Sequence, residues 1–301
     1  VLMLVLLFGA LAVGAYFLWL NFPTEKIDFE KYKSNFSNEF PEKSAQFYAN
    51  MRYETTDISY QFTTQCSDKK RSDFERATER LESLTILRFY KTESNPQITV
   101  SCSRLAPEPE QEGHFVAGEG GPSLVINATR YSVIKAGEIA LYRADNCDSP
   151  QIATHELLHA LGFDHNNNEN SIMYPITGCG QEIDEDIADE IDRLYSQKPF
   201  GDIVIEEVEA DKSGPYLNFE IIVSNYGLKS IANSSLKVIA EGSVVRAFNL
   251  GEIDIGTKKT LTIQNLRIPR GATEVTFLAE TKEQEIKSDN NGVDIRIVES
   301  S

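Results

Sequence analysis

His155-Glu156-Leu157-Leu158-His159-Ala160-Leu161-Gly162-Phe163-Asp164-His165, followed closely by Ser171-Ile172-Met173-Tyr174-Pro175, is the stretch from which the rest of the chain can be read. Residues four apart in a helix lie one turn apart on one face, so His155 and His159 can present both imidazoles to a single ion. Glu156 stands beside the first of them, angled toward the same space. Gly162 comes where the helix must stop, because glycine accepts a left-handed backbone without steric cost and can turn the chain sharply. That turn lets His165 come back as a third ligand.

Three neutral imidazoles leave one position of a tetrahedral zinc ion open for water, which separates such a set from a closed structural site. At such an ion the pKa of water falls to about 7, and Glu156 is placed to take its proton as the water attacks a carbonyl polarised by the same ion. Hydrolysis of a peptide bond is the chemistry this set implies. A bare His-Glu-x-x-His recurs by chance in long chains, but the longer pattern with a third His and a Met in a following turn is far more specific.

The two quoted runs together resemble the matrixin branch of the metzincins, and Met173-Tyr174-Pro175 is the most matrixin-like part. By that resemblance His155, His159 and His165 are expected to hold zinc and Glu156 to be the general base. Met173 is expected in the turn beneath the metal, as a structural residue with Gly162, Tyr174 and Pro175. Thr177 stands where many matrixins carry a pocket-lining tyrosine, so side-chain specificity does not carry over.

The 301 residues suffice for two domains of ordinary size. With 46 acidic against 29 basic residues the net charge is -17, which argues against nucleic acid as a partner, since that requires clustered Lys and Arg. Cys66, Cys102, Cys147 and Cys179 form an even set without the close Cys-x-x-Cys pairs of a structural zinc site, so disulfides in an oxidising compartment are expected. Three connectivities exist. Cys66 with Cys102 and Cys147 with Cys179 is the favoured one, because the second pair would brace both ends of the active-site unit.

Residues 1–20 carry no charge and are long enough, as a helix, to cross the ~30 Å hydrocarbon layer. Tyr16, Phe17, Trp19 and Phe22 gather at one end as aromatics do at a membrane interface. The expectation for 1–22 is a transmembrane anchor, with a cleaved signal segment as the alternative, since Ala10, Ala12, Gly14 and Ala15 could form a cleavage site. The first places the catalytic domain on the extracytoplasmic face of a membrane; the second makes the protein secreted. Residues 23–56 read as a juxtamembrane stalk, without the cysteine that caps zinc in many matrixin propeptides.

A strand at 58–62, a helix at 68–84 and strands at 86–90 and 97–102 give the order that opens a metzincin catalytic domain, placed at 57–198. Residues 107–121, with Glu108, Glu110, Glu112 and Glu119, read as an exposed loop in which calcium is a second candidate cofactor by the resemblance; His114 reads as a surface residue. By resemblance, 115–127 contains an edge strand that pairs with substrate backbone. Asp148-Ser149-Pro150 supplies a start for the helix at 151–161, and 181–195 carries an apolar stripe on an acidic helix.

Beyond Pro199 alternating runs such as 217–223, 235–240, 259–263 and 274–279, separated by Gly, Asn and Pro turns, predict an immunoglobulin-like β-sandwich of about seven strands at 199–301. Val223-Ser224-Asn225-Tyr226-Gly227, Leu250-Gly251-Glu252 and the run 285–292 resemble an adhesion-related module of the CARDB type, which implies a cell-surface ligand. Asn35, Asn127 and Asn233 head glycosylation triplets. The fold class expected is therefore α+β: a metzincin domain with a mixed five-stranded sheet and three helices, then an all-β sandwich, behind an N-terminal transmembrane helix. The function expected is zinc-dependent endopeptidase action on extracytoplasmic proteins or peptides. The rival is a non-catalytic adhesion or peptide-binding protein with a metzincin-like domain, and intact Glu156 argues against it.

Overall fold

The computed structural model describes residues 2–35, 45–63, 66–103, 105–108 and 115–298. Glu110, Glu112 and His114 lie outside them. The chain divides into two compact units, one of residues 1–36 with 200–301 and one of 37–199.

In the first unit, helix α1 (Leu2–Asn21) is followed by two short strands, β1 (Lys26–Asp28) and β2 (Tyr32–Lys33). α1 carries no charge, and its side chains from Met3 to Trp19 are all exposed.

The second unit begins with β3 (Met51–Tyr53), β4 (Asp57–Phe62), α2 (Asp68–Leu84), β5 (Arg88–Lys91) and β6 (Ile98–Cys102). It continues through β7 (Gly118–Asn127), β8 (Ser132–Leu141), α3 (Gln151–Ala160) and α4 (Glu185–Ser196). The sheet runs β3-β8-β6-β4-β5, all parallel neighbours, with β7 antiparallel on the other edge of β8. It has six strands rather than five, because β3, expected within the stalk, pairs Met51 with Ser132 and Tyr53 with Ile134. α2 buries Phe74, Ala77 and Leu81, and the Phe74 ring packs edge-on against Tyr60 and Phe62 at 5.1 and 5.5 Å. Arg52 of β3 is buried without a carboxylate; its guanidinium donates to the carbonyls of Leu194 and Gln197 and lies 4.5 Å over the Tyr195 ring, fastening β3 to α4.

The chain returns to the first unit with β9 (Ile203–Ser213), β10 (Tyr216–Asn225), β11 (Ile231–Ala240), β12 (Ser243–Ile253), β13 (Lys258–Arg267), β14 (Glu274–Thr281) and β15 (Gly292–Arg296). One sheet is ordered β1-β9-β10-β13 with β2 also on β9, and the other β12-β11-β14-β15. Phe219 and Phe277 meet edge-on at 4.9 Å in the core between them. The Asn225 side chain is fully buried and fully used: it donates to the Lys229 and Ile253 carbonyls and accepts from Gly227 N and Asp202 N.

The segment 23–56, expected to be a stalk, is divided between the two units. Lys26 pairs with Ser213 and Tyr32 with Val208, and Phe29 enters the sandwich core. Gln46 instead bridges to Phe163, and Met51 lies in the other core. The apolar alternation Ile27, Phe29 is real but too short to be read as strand without its partner.

Candidate active site

α3 is buried from Ala153 to Ala160, so its histidines are held by packing on every side. The expected cap from Asp148-Ser149-Pro150 is not what starts this helix. Pro150 occupies the cap position without a side-chain bond, and Asp145 reaches in instead, accepting from Cys147 N at 3.1 Å and Ile152 N at 2.8 Å. A carboxylate there satisfies otherwise unpaired N–H groups and suits the positive helix end.

At the other end Gly162 has φ +96°, and a Cβ on it would stand 2.8 Å from Met51 Cβ and 2.9 Å from Met51 Sδ. The chain turns there and brings His165 back. The three Nε2 atoms then converge: His155 to His159 is 3.0 Å, and each lies 3.1 Å from His165. His155 Nδ1 donates to the Ile172 carbonyl at 2.6 Å and His159 Nδ1 to that of Phe163 at 2.8 Å. A carbonyl can only accept, so both rings carry their proton on Nδ1 and turn the Nε2 lone pair inward. Facing lone pairs repel unless a cation lies among them. Nitrogens about 2.0–2.1 Å from a tetrahedral zinc sit roughly 3.3 Å apart, close to what these three provide. Among the described residues, this is the cluster of His, Cys, Asp and Glu able to hold a metal ion. Calcium finds no such support, and part of the loop proposed for it lies outside the described residues.

Electrostatics point the same way. Burial, then the neighbouring His159, lowers His155 to about 3; burial lowers His159 to about 4, and His165 is also lowered by burial. The imidazoles are thus neutral, as ligands must be. Glu156, 6 % exposed, is raised to about 8 by burial and secondarily by Glu119. No positive side chain among the described residues offsets that rise, whereas a dication on the histidines would.

Two residues that the sequence reading assigned to a loop shape this carboxyl group. Residues 118–121 belong to β7, and a Cβ on Gly118 would lie 2.8 Å from Glu156 Oε1, while one on Gly120 would lie 2.3 Å from the Glu156 carbonyl oxygen. Strand and helix can touch here only because both positions lack side chains. The spacing Gly-x-Gly, which puts both on one face of a strand, was the available signal.

Met173 is buried in a turn held by Ser171, whose Oγ accepts from Met173 N at 3.0 Å and donates to Asp184. Asn166 and Asn168 also donate toward Asp184. Because Ile172 in this turn receives the His155 proton, Ser171 and Asp184 act on a ring they do not touch; the sequence reading singled out neither for a role. Tyr174 is half-buried and Pro175 exposed on the chain leaving the turn.

Cys147 is joined to Cys179, and Cys66 to Cys102. The first bond ties the approach to α3 to the loop after the methionine turn. Gln151 reinforces it by donating to the Cys179 and Gln181 carbonyls at 2.9 and 3.1 Å. Phe47, 38 % exposed, stacks on His159 with ring centroids 5.7 Å apart, and its N–H donates to the Gly162 carbonyl.

Residues 50–196 match the family described as Matrixin. The metalloendoproteinase 5-MMP of Arabidopsis thaliana is 28% identical over 163 residues, which cover 48% of this chain and 45% of that protein. The chain thus spans less than half the length of that relative. Among solved structures, the CARDB domain of a Pyrococcus furiosus protein, crystallised with di-metal ions, is similar at 16% identity and a TM-score of 0.27, covering 33% of this chain and 94% of that one.

Proposed function

We propose that this chain, which carries a matrixin-like metzincin domain over residues 50–196, is a membrane-tethered zinc endopeptidase acting on proteins or peptides outside the cytoplasm. The observation that carries the reading is the convergence of three neutral Nε2 atoms, with a buried carboxyl group on the residue beside the first of them.

His155, His159 and His165 would hold zinc through Nε2. When bound, the metal supplies Lewis acidity, lowering the pKa of a water to about 7 and polarising a peptide carbonyl. Glu156, ionised beside that charge, takes the proton from the attacking water at a carboxylate oxygen. It then returns this proton to the amide nitrogen as the C–N bond breaks, so the leaving group departs as a neutral amine. The Ile172 and Phe163 carbonyls keep the Nδ1 protons of His155 and His159 in place throughout.

β7 pairs with β8 along one side, and no described strand pairs with its other side. An extended peptide can add there as a further strand through main-chain hydrogen bonds. Since Gly118 of β7 touches the Glu156 carboxyl group, such a peptide would pass beside the base. The disulfides and the exposed apolar α1 support a location outside the cytoplasm.

Casein hydrolysis with and without 1,10-phenanthroline tests the activity. Glu156→Ala should keep one zinc per chain and lose at least about a hundredfold in kcat/KM. Full activity in that variant would remove Glu156 from its role as base.

A further inference from the structure

The last carbonyls of a helix have no partner within it, and near a membrane an unsatisfied carbonyl is costly. At the end of α1 the sandwich supplies the donors. Nη1 of Arg270, from the turn between β13 and β14, donates to the carbonyl of Trp19 and, at 2.8 Å, to that of Phe22. The guanidinium also lies over the Trp19 ring, 4.9 Å from its centroid, a contact that strengthens as water is excluded. The turn carrying Arg270 is itself pinned, because the buried Lys212 donates to the Arg270 and Ala272 carbonyls at 3.0 and 2.6 Å.

The neighbouring β9–β10 turn meets the same spot. Gly214 has φ +61°, and a Cβ on it would stand 2.7 Å from the Phe22 carbonyl oxygen. Its N–H donates to Thr24 Oγ1 at 2.8 Å. β1 begins at Lys26, so only residues 22–25 separate helix from sandwich, a reach of no more than ~14 Å.

α1 is apolar on every side, long enough to cross the ~30 Å hydrocarbon layer, and has three of its four aromatics, Tyr16, Phe17 and Trp19, at the end that meets the sandwich. A one-sided protein partner would leave most of that surface in water; a bilayer covers all of it. We propose that the sandwich is a collar seated on the lipid headgroups around the foot of an uncleaved α1. Arg270 is its clasp, and the β9–β10 and β13–β14 turns stand at headgroup level. A leader destined for removal needs neither the clasp nor the bare backbone at Gly214. The inference rests on α1 being an anchor and is independent of the histidine site.

Trp19 is the single tryptophan of the chain, so fluorescence reports on this joint alone. In phosphatidylcholine and phosphatidylglycerol vesicles the full-length protein should co-float, retain α1 by mass, and show Trp19 quenched more by lipids brominated near the headgroup than near the chain end. Added protease should cut residues 22–25 slowly. Arg270→Ala, which removes two charge-assisted bonds and the contact with the Trp19 ring, should raise that rate at least roughly tenfold, with Arg270→Lys between. Gly214→Ala, which sets a methyl 2.7 Å from the Phe22 carbonyl oxygen and 3.2 Å from Arg270 Nη1 on a backbone at φ +61°, should loosen the same joint and serves if Arg270→Ala does not fold. A wild type that co-floats but is cut as fast as the variants overturns the collar and leaves the anchor. Failure to co-float, or a mass lacking α1, removes both.

Discussion

Burial holds Glu156 up at about 8 and His155 and His159 down at about 3 and about 4, so without its cation the site is a set of neutral groups at pH 7. The sign of the resulting pH dependence can be worked out for the chelated protein. Between about pH 4.5 and 6.5 the unfolded chain takes up two imidazole protons that the folded chain refuses, while folded Glu156 keeps one that the unfolded carboxylate has lost. Unfolding therefore binds about one net proton, and stability rises with pH; His165, also lowered, adds in the same sense. Above about pH 6.5 only Glu156 differs, the folded state holds the extra proton, and stability falls toward pH 8. The denaturation midpoint of the chelated protein should peak near pH 6.5, and Glu156→Gln should flatten the fall above it; a fall of equal size in that variant would place its source elsewhere. Gly120 tests contact rather than charge. Gly120→Ala sets a methyl against the Glu156 carbonyl and should cost about 1–3 kcal/mol with a loss of activity, whereas Gly121→Ala, with nothing within 4 Å, should leave both unchanged. Thermal melts and peptide turnover of the two variants make the comparison.

Among elements, what could be read from sequence is what repeats with a period. The apolar spacing of α2 and α4 and the alternation of β4 and β6 were legible because one face of each is buried against a core. The first half of β7 was not. Glycines and a proline have little intrinsic preference for a strand, and Gly118 to Pro122 is extended because β8 pairs with it; Pro122 is tolerated because an edge strand leaves one side without a ladder. The start of α3 was misread for a related reason. Asp148 and Ser149 are adjacent in sequence, but Asp145 is the carboxylate that the Cys147–Cys179 bond and the Asp73 contact bring over the helix end. The three converging histidines were legible because they lie within eleven residues of a local motif, while Ser171 and Asp184, which hold the turn that carries Ile172, are bridged only by the folded turn. Replacing Cys147 and Cys179 by alanine opens a loop of 32-residue separation and should cost about 3–4 kcal/mol of the unit's stability. The same variant frees the loop that Gln151 and Gln181 hold, so its KM should rise more than its kcat falls; unchanged kinetics would make the bond a staple only.

The whole molecule is two cores joined by covalent chain at two places, since the unit of residues 37–199 is inserted between β2 and β9 of the other. Their stabilities should be separable by calorimetry of the full-length protein. Chelation is expected to lower the transition of the unit that holds the three histidines and to leave that of the sandwich in place, because only a state that binds the metal is stabilised by it. One transition that moves as a whole would mean the two cores unfold together. The expectation of a simple stalk failed at this scale because nothing in residues 26–33 announces a partner more than 170 positions away, and the pairing of Lys31 with Glu209, 178 apart, is visible only in the folded protein. The insertion also governs how the unit of residues 37–199 could be shed. In a chain with anchor, stalk and enzyme in line, one cut sets the enzyme free. Here a nick before β3 leaves the fragments zipped together through β1, β2 and β9, and a nick after α4 leaves that unit tethered from its front. Release of that unit by cuts in the chain flanking it would thus demand two incisions, or one followed by the peeling away of five short-strand residues, whereas a single cut in residues 22–25 parts both units from α1 once the Arg270 contacts let go.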